Sequence, residues 1–203
     1  MHIEFLVEEL SAEVALKSIV PKILFENVTY HFHSHQGKRD LLGSLKSRLK
    51  AYKKWIPEDW KIVVLIDEDR QDCRELKQKL EEIAIEAGFI SKTAAEFNQR
   101  FQLISRIAIE ELEAWYFGDI GAIVKAYPRV SSNLSNRSRF RDPDAIKGGT
   151  WEALQRILQR AGYYKGGLAK IAAARDISVH MDPGRNSSKS FQVFRDGLSA
   201  LAG

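Results

Sequence analysis

Two aspartates, Asp67 and Asp69, follow directly after the aliphatic run at residues 62–66 and are well placed for chemistry. A continuous apolar run rich in β-branched residues predicts a strand that is buried on both faces. Open α/β sheets bind their ligands beyond the C-terminal ends of such strands. Two carboxylates there would suit Mg²⁺ or Mn²⁺, because hard divalent cations prefer oxygen ligands. The alternative is a solvated turn, which also tolerates acidic residues.

Further acids follow other predicted strands. Glu8 comes after the apolar segment 2–7, and Glu113 comes after the segment 104–109. Because the C-terminal ends of parallel strands emerge at one edge of a sheet, we expect these carboxylates to converge with Asp67. Clustered carboxylates repel unless a cation compensates, so one or two Mg²⁺ or Mn²⁺ ions are expected, which would polarise a phosphodiester and activate water. The alternative is that some acids are helix caps or first-turn charges. That alternative is strongest for Glu110, Glu111 and Asp72.

The elements that must position these acids alternate along the first 120 residues. Strands are predicted at residues 2–7, 28–33, 61–66 and 104–109, with helices at 12–20, 41–52 and 70–87. This alternation predicts an α/β fold with a mostly parallel sheet flanked by helices. We divide the chain into an α/β core at 1–127 and a segment at 128–203, a basic loop and helical extension packed on the core. The helices expected in this extension span 151–161, 168–175 and 188–201.

Basic side chains are concentrated in the predicted loop at residues 128–150. Arg137, Arg139, Arg141 and Lys147 would attract a polynucleotide backbone without reading its sequence. A solvated linker is the alternative interpretation. The net charge of +4 permits nucleic-acid binding without requiring it.

Residues 31–38 contain two further candidate groups. Gly37 permits a tight turn, and Lys38 could contact a phosphate beside the acidic site, although a plain surface loop is an equal alternative. His31, His33 and His35 alternate, so a strand would place them on one face, where zinc binding is a minor alternative.

The composition excludes several classes of protein. The chain is 44% hydrophobic and 29% charged, which is typical of a globular protein. No apolar stretch approaches the roughly 18 residues of a membrane span, and the N-terminal segment lacks the features of a signal peptide. The single cysteine, Cys73, excludes an internal disulfide. We therefore expect a cytoplasmic protein with no membrane association. A Gly-rich phosphate loop is lacking, which argues against ATP binding by the chain itself.

The arrangement of an acid after the first strand and a hydrophobic strand ending in Asp-x-Asp resembles the toprim domain of topoisomerases, bacterial primases and overcoming-lysogenization-defect (OLD) nucleases. More closely, the chain resembles a small bacterial toprim-like family, with separated motifs that span nearly its whole length. The matching segments are residues 5–9, 35–38, 67–73, 113–115 and 190–191. Toprim domains usually have glycine where this chain has Glu9.

This resemblance implies a toprim-like fold and a metal-dependent nuclease acting on DNA or RNA. It implies that Glu8 is a general acid/base or metal ligand and that Asp67 and Asp69 hold metal. Glu13 and Glu113 are candidates for a second metal position. It also implies an AAA- or ABC-type ATPase partner in an antiphage defence complex. Two alternatives stay open, namely a non-catalytic toprim-fold subunit that regulates the ATPase and a different phosphotransfer enzyme. The sequence leaves a homo-oligomer open.

Overall fold

The computed structural model describes residues 1–69, 71–97, 99–167 and 169–202. Its centre is a four-stranded sheet in which every neighbouring pair of strands is parallel. The strands are β1 (His2–Val7), β2 (Thr29–Ser34), β3 (Trp60–Asp67) and β4 (Leu103–Ala108), and they lie in the order β2-β1-β3-β4. Helices flank this sheet, which confirms the predicted α/β class.

Within the residues that the structure describes, eight α-helices surround or extend the sheet. They are α1 (Leu10–Ile19), α2 (Lys38–Tyr52), α3 (Cys73–Glu86), α4 (Glu113–Gly118), α5 (Ile120–Ala126), α6 (Thr150–Arg160), α7 (Lys170–Ser178) and α8 (Lys189–Ala202). Helix α5 was not predicted from the sequence. None of the helices in the described part of the chain is both long and apolar enough to cross a membrane.

The aliphatic run of β3 is buried on both faces of the sheet, as its composition predicts. Val63 and Leu65 belong to the core cluster that includes α1 and α8, whereas Val64 and Ile66 belong to the cluster with α2 and α3. Because successive side chains of a strand point to opposite faces, one aliphatic run serves both layers.

The segment between α5 and α6 contains three short 3₁₀-helices, Ser132–Asn136, Ser138–Phe140 and Pro143–Ala145. Leu134, Phe140 and Ile146 are buried in the same core cluster as Phe5 of β1. Phe140 also stacks on Phe117 of α4, with ring centres 5.0 Å apart. Apolar side chains therefore tie this basic segment to the α/β core.

Candidate functional site

The strand order places the ends of β1 and β3 at a topological switch point. The chain leaves β1 through α1, which packs on one face of the sheet, and reaches β3 through α2, which packs on the other. In open α/β sheets the crevice beyond the C-terminal ends of two such strands is the usual ligand site. Glu8 and Asp67 lie at these two ends.

Glu8 joins the ends of β1 and β3 through its carboxylate. Its Oε2 accepts a hydrogen bond of 3.1 Å from the backbone N–H of Asp67. Only 7% of Glu8 is exposed. Burial raises the pKa of this carboxyl; the Asp67 N–H and Lys38 oppose the rise, while Asp69 and Glu9 add to it. Glu8 therefore holds its proton more tightly than an ordinary glutamate.

The pKa values of Asp67 and Glu113 are raised as well. Burial, followed by the negative charges of Glu113, Glu8 and Asp69, raises the pKa of Asp67 well above its ordinary range. Glu113 begins α4, soon after β4, and burial raises its pKa to about 7. The acids that follow three different strands are thus close enough to oppose each other's ionisation.

Lys38 places a positive charge at the edge of this acidic group. Its Nζ lies 3.0 Å from Oδ2 of Asp69 and donates a 2.9 Å hydrogen bond to the carbonyl of Glu68. The preceding Gly37 has φ +95°, and its N–H donates to the carbonyl of Glu8 at 3.0 Å. A left-handed φ suits glycine here, so the loop at 35–38 is attached to the site by its backbone.

Lys170 of α7 lies at the acidic group, whereas from the sequence it was expected only as a possible extension of the basic surface. Its Nζ lies 3.4 Å from Oε2 of Glu9, at a separation of 161 residues, and 5.1 Å from the ring centre of Trp151. Its charge also lowers the pKa values of Asp67 and Glu113. No local sequence pattern predicts that a single lysine at the start of this helix will lie beside the acids.

Tyr116 of α4 is buried in the core and also adjoins the acids. Burial and then the charges of Glu113 and Asp67 raise the pKa of its hydroxyl well above the ordinary range. Within the described part of the chain, the buried hydroxyl has no hydrogen-bond partner. The acidic group therefore has an unsatisfied polar atom beside it.

Several predicted residues have other surroundings. Glu13 pairs with Lys17 at 2.7 Å; although burial raises its pKa, hydrogen bonds from Lys17 and Ser34 bring the pKa below its ordinary value. The four basic residues predicted to bind nucleic acid lie in the segment between α5 and α6, here called the 3₁₀ segment, and all four are exposed. They are Arg137, Arg139, Arg141 and Lys147. Arg139 packs over the ring of Phe140.

The capping alternative is confirmed for two acids. Oε2 of Glu111 accepts hydrogen bonds from the Thr150 hydroxyl at 2.8 Å and from the Trp151 N–H at 2.7 Å, at the start of α6. Asp72 is the N-cap of α3 and accepts from two backbone N–H groups of its first turn. Both side chains cap helix N-termini, and the charge of Glu111 also raises the pKa of Glu113.

A second group of ligand-type residues lies on another part of the sheet. Glu4, His31 and His33 each offer one atom within 4.8 Å of the others, so they could hold a metal ion. Among the residues that the structure describes, the acids at the strand ends do not form so tight a group.

The comparisons with known proteins concern nearly the whole chain. The sequence profile of a domain of unknown function, DUF4276, matches residues 7–199. The chain belongs to the DUF4276 family. The match includes Glu8, Asp67, Asp69 and Glu113. It contains β2, β3, β4 and most of the helical extension into α8, but only the last residue of β1. No curated protein and no solved structure matches the chain.

Proposed function

We propose that this chain is a metal-dependent nuclease of toprim type that cleaves phosphodiester bonds in DNA or RNA. The observation that carries the proposal is the grouping of Glu8, Asp67 and Glu113 at the ends of three parallel strands, each with a raised pKa. Buried carboxyls that oppose each other's ionisation are costly for stability, and a divalent cation would remove that cost.

The donor set fits the proposed cation. Glu8, Asp67, Asp69 and Glu113 supply only carboxylate oxygens, which suit Mg²⁺ or Mn²⁺ better than softer metals. When bound, such an ion polarises the phosphodiester and lowers the pKa of an attacking water. The unsatisfied hydroxyl of Tyr116 beside the acids is a further polar atom available to the loaded site.

The protein groups around the acids have separate tasks in this proposal. Glu8 is nearly buried and its pKa is raised by burial, which suits a group that donates or accepts a proton. Lys38 pairs with Asp69 and Lys170 pairs with Glu9, and both would contact the non-bridging oxygens of a phosphate. The exposed basic residues of the 3₁₀ segment would hold the polynucleotide backbone without base preference.

A partner belongs to the proposal as well. The motif resemblance to toprim-like proteins supports an AAA- or ABC-type ATPase as the partner and antiphage defence as the setting. The competing proposal is a non-catalytic subunit that uses the same acidic edge to regulate that ATPase.

The test compares cleavage of DNA and RNA by the wild type, Glu8→Gln and Asp67→Asn, with Mg²⁺ or Mn²⁺ and with or without a candidate ATPase partner. Glu26→Gln is the matched control, since Glu26 is exposed and precedes β2. We expect cleavage by the wild type and the control only. Activity that persists in both site variants would refute the site, and Mn²⁺ binding without cleavage under any condition would favour the regulatory subunit.

A further inference from the structure

We infer that Glu4, His31 and His33 form a binding site for Zn²⁺ that is separate from the acidic group at the strand ends. The three residues come from two neighbouring strands, because Glu4 of β1 lies in register with His31 of β2. His33 is two residues further along β2, on the same face. Strand pairing alone therefore brings one carboxylate and two imidazoles together.

The distances suit a small tetrahedral cation. Nδ1 of His31 lies 3.2 Å from Nε2 of His33 and 3.9 Å from Oε2 of Glu4. The remaining pair, His33 Nε2 and Glu4 Oε2, is 2.5 Å apart. Ligands at tetrahedral positions around zinc are separated by about 3.3 Å. The pair of imidazole nitrogens is already near this value, the His31–Glu4 pair must close by roughly 0.6 Å, and the His33–Glu4 pair must open by roughly 0.8 Å.

Without a metal, Nε2 of His33 has more polar neighbours than it can hydrogen-bond. Nε2 of His33 faces Glu4, the Tyr52 hydroxyl at 3.1 Å and His31. A single ring nitrogen carries one proton or one lone pair, so it cannot satisfy all three neighbours. A cation between the three ligand atoms would accept their lone pairs at the same time.

Other side chains hydrogen-bond to the Glu4 carboxylate and orient it, as residues around a metal site orient the metal ligands. Nε2 of His2 lies 3.1 Å from Oε1 of Glu4, while Nδ1 of His2 is 2.8 Å from the Thr29 hydroxyl. If Thr29 donates to Nδ1, Nε2–H of His2 donates to Oε1 and leaves Oε2 for the metal. The Tyr52 hydroxyl also donates to Oε2 at 3.2 Å. Such second-shell contacts fix the direction of metal ligands.

The ligand types select the metal. Two imidazoles and one carboxylate suit Zn²⁺, whereas Mg²⁺ prefers oxygen ligands alone. The side chain of His31 is 64% exposed, so the ion can reach the site from solvent and keep a water in its fourth position. Glu4 and Glu8 are four residues apart on one extended chain, about 13 Å, so the two sites are distinct.

The experiment is calorimetric titration of the metal-free protein with Zn²⁺, accompanied by the visible spectrum of a Co²⁺-loaded sample. We expect one tight site with a tetrahedral Co²⁺ spectrum. His31→Ala should weaken Zn²⁺ binding by roughly tenfold or more, and Tyr52→Phe by about tenfold. His31 is exposed, so its replacement should not disturb folding, and circular dichroism would check this. His180→Ala is the matched control, because His180 is exposed after α7.

Asp67→Asn should leave Zn²⁺ binding unchanged, which separates this inference from the proposed nuclease site. Failure of the wild type to bind Zn²⁺ would overturn the inference. Equal affinity in His31→Ala and the wild type would overturn it as well. Loss of Zn²⁺ binding in Asp67→Asn instead would assign the ion to the acidic group.

Discussion

The carboxylate of Glu8 accepts the backbone N–H of Asp67 at 3.1 Å, so the ends of β1 and β3 are joined through a catalytic candidate. The same contact fixes the direction of the Glu8 side chain. Because the donor is a main-chain group, replacing the Asp67 side chain leaves this hydrogen bond intact. The two acids can therefore be separated by mutation.

Asp67→Asn should make the metal-free protein more stable while abolishing Mn²⁺ binding. The change removes a charge that burial and three neighbouring acids oppose. We expect the free energy of unfolding near pH 8 to rise by about 1–2 kcal/mol, measured by urea denaturation with EDTA. Glu26→Gln should change neither quantity. A less stable Asp67→Asn protein would show that Asp67 serves folding rather than a metal.

Glu113 should make stability fall as pH rises. Its pKa is about 7 in the folded chain against 4.5 ordinarily, so between these values the folded state binds the extra proton. Stability from this group is complete below about pH 4.5 and is lost by about pH 7, a change of roughly 3 kcal/mol. Glu113→Gln should flatten this part of the profile of unfolding free energy against pH. An identical profile in the variant would contradict the assignment.

Mn²⁺ affinity at the acidic group should increase with pH. Glu8, Asp67 and Glu113 all have raised pKa values and must lose their protons to bind a cation. Calorimetry in buffers of different ionisation enthalpy should show proton release, with tighter binding at about pH 8 than at about pH 6. Binding that is independent of pH would exclude these carboxyls as ligands.

Gly118→Ala should destabilise the protein. An added Cβ would lie 2.0 Å from Oδ1 of Asn186 and 2.9 Å from the backbone nitrogen of Ser188. Asn186 is buried and donates to the carbonyl of Trp115 at 2.7 Å, so it cannot move without losing this bond. We expect a loss of about 2–4 kcal/mol. Gly43→Ala is the matched control in α2, where a Cβ meets nothing within 4 Å, and it should be stabilising by about 1 kcal/mol.

The exposed basic residues of the 3₁₀ segment should set the salt dependence of polynucleotide binding. If the four contact phosphates, changing them together to glutamine should reduce the slope of log affinity against log salt by about 3. The variant carries changes at Arg137, Arg139, Arg141 and Lys147. Four exposed lysines in and after α2, at positions 46, 50, 53 and 54, provide a control of equal charge. Equal slopes in both variants would place the binding surface elsewhere.

Local patterns in the sequence predicted much of this architecture. The aliphatic run at 62–66 predicted a strand buried on both faces, and alternating strands and helices predicted a parallel sheet. Acids placed after strands were expected at one edge because parallel strands end together. These inferences succeed because burial periodicity and strand direction are local properties of the chain.

Other relationships were decided by the tertiary structure alone. The register that sets Glu4 beside His31, the return of Lys170 to Glu9 from 161 residues away and the position of Tyr116 beside the acids all join distant segments. Glu13 was a candidate for a second metal position from the resemblance, but in the structure its carboxylate pairs with Lys17. Strand pairing and helix packing determine such contacts, and they depend on the burial of side chains from the whole chain at once. The residue types at the strand ends could thus be inferred from local sequence, whereas the contacts among them follow from the packing of the whole chain.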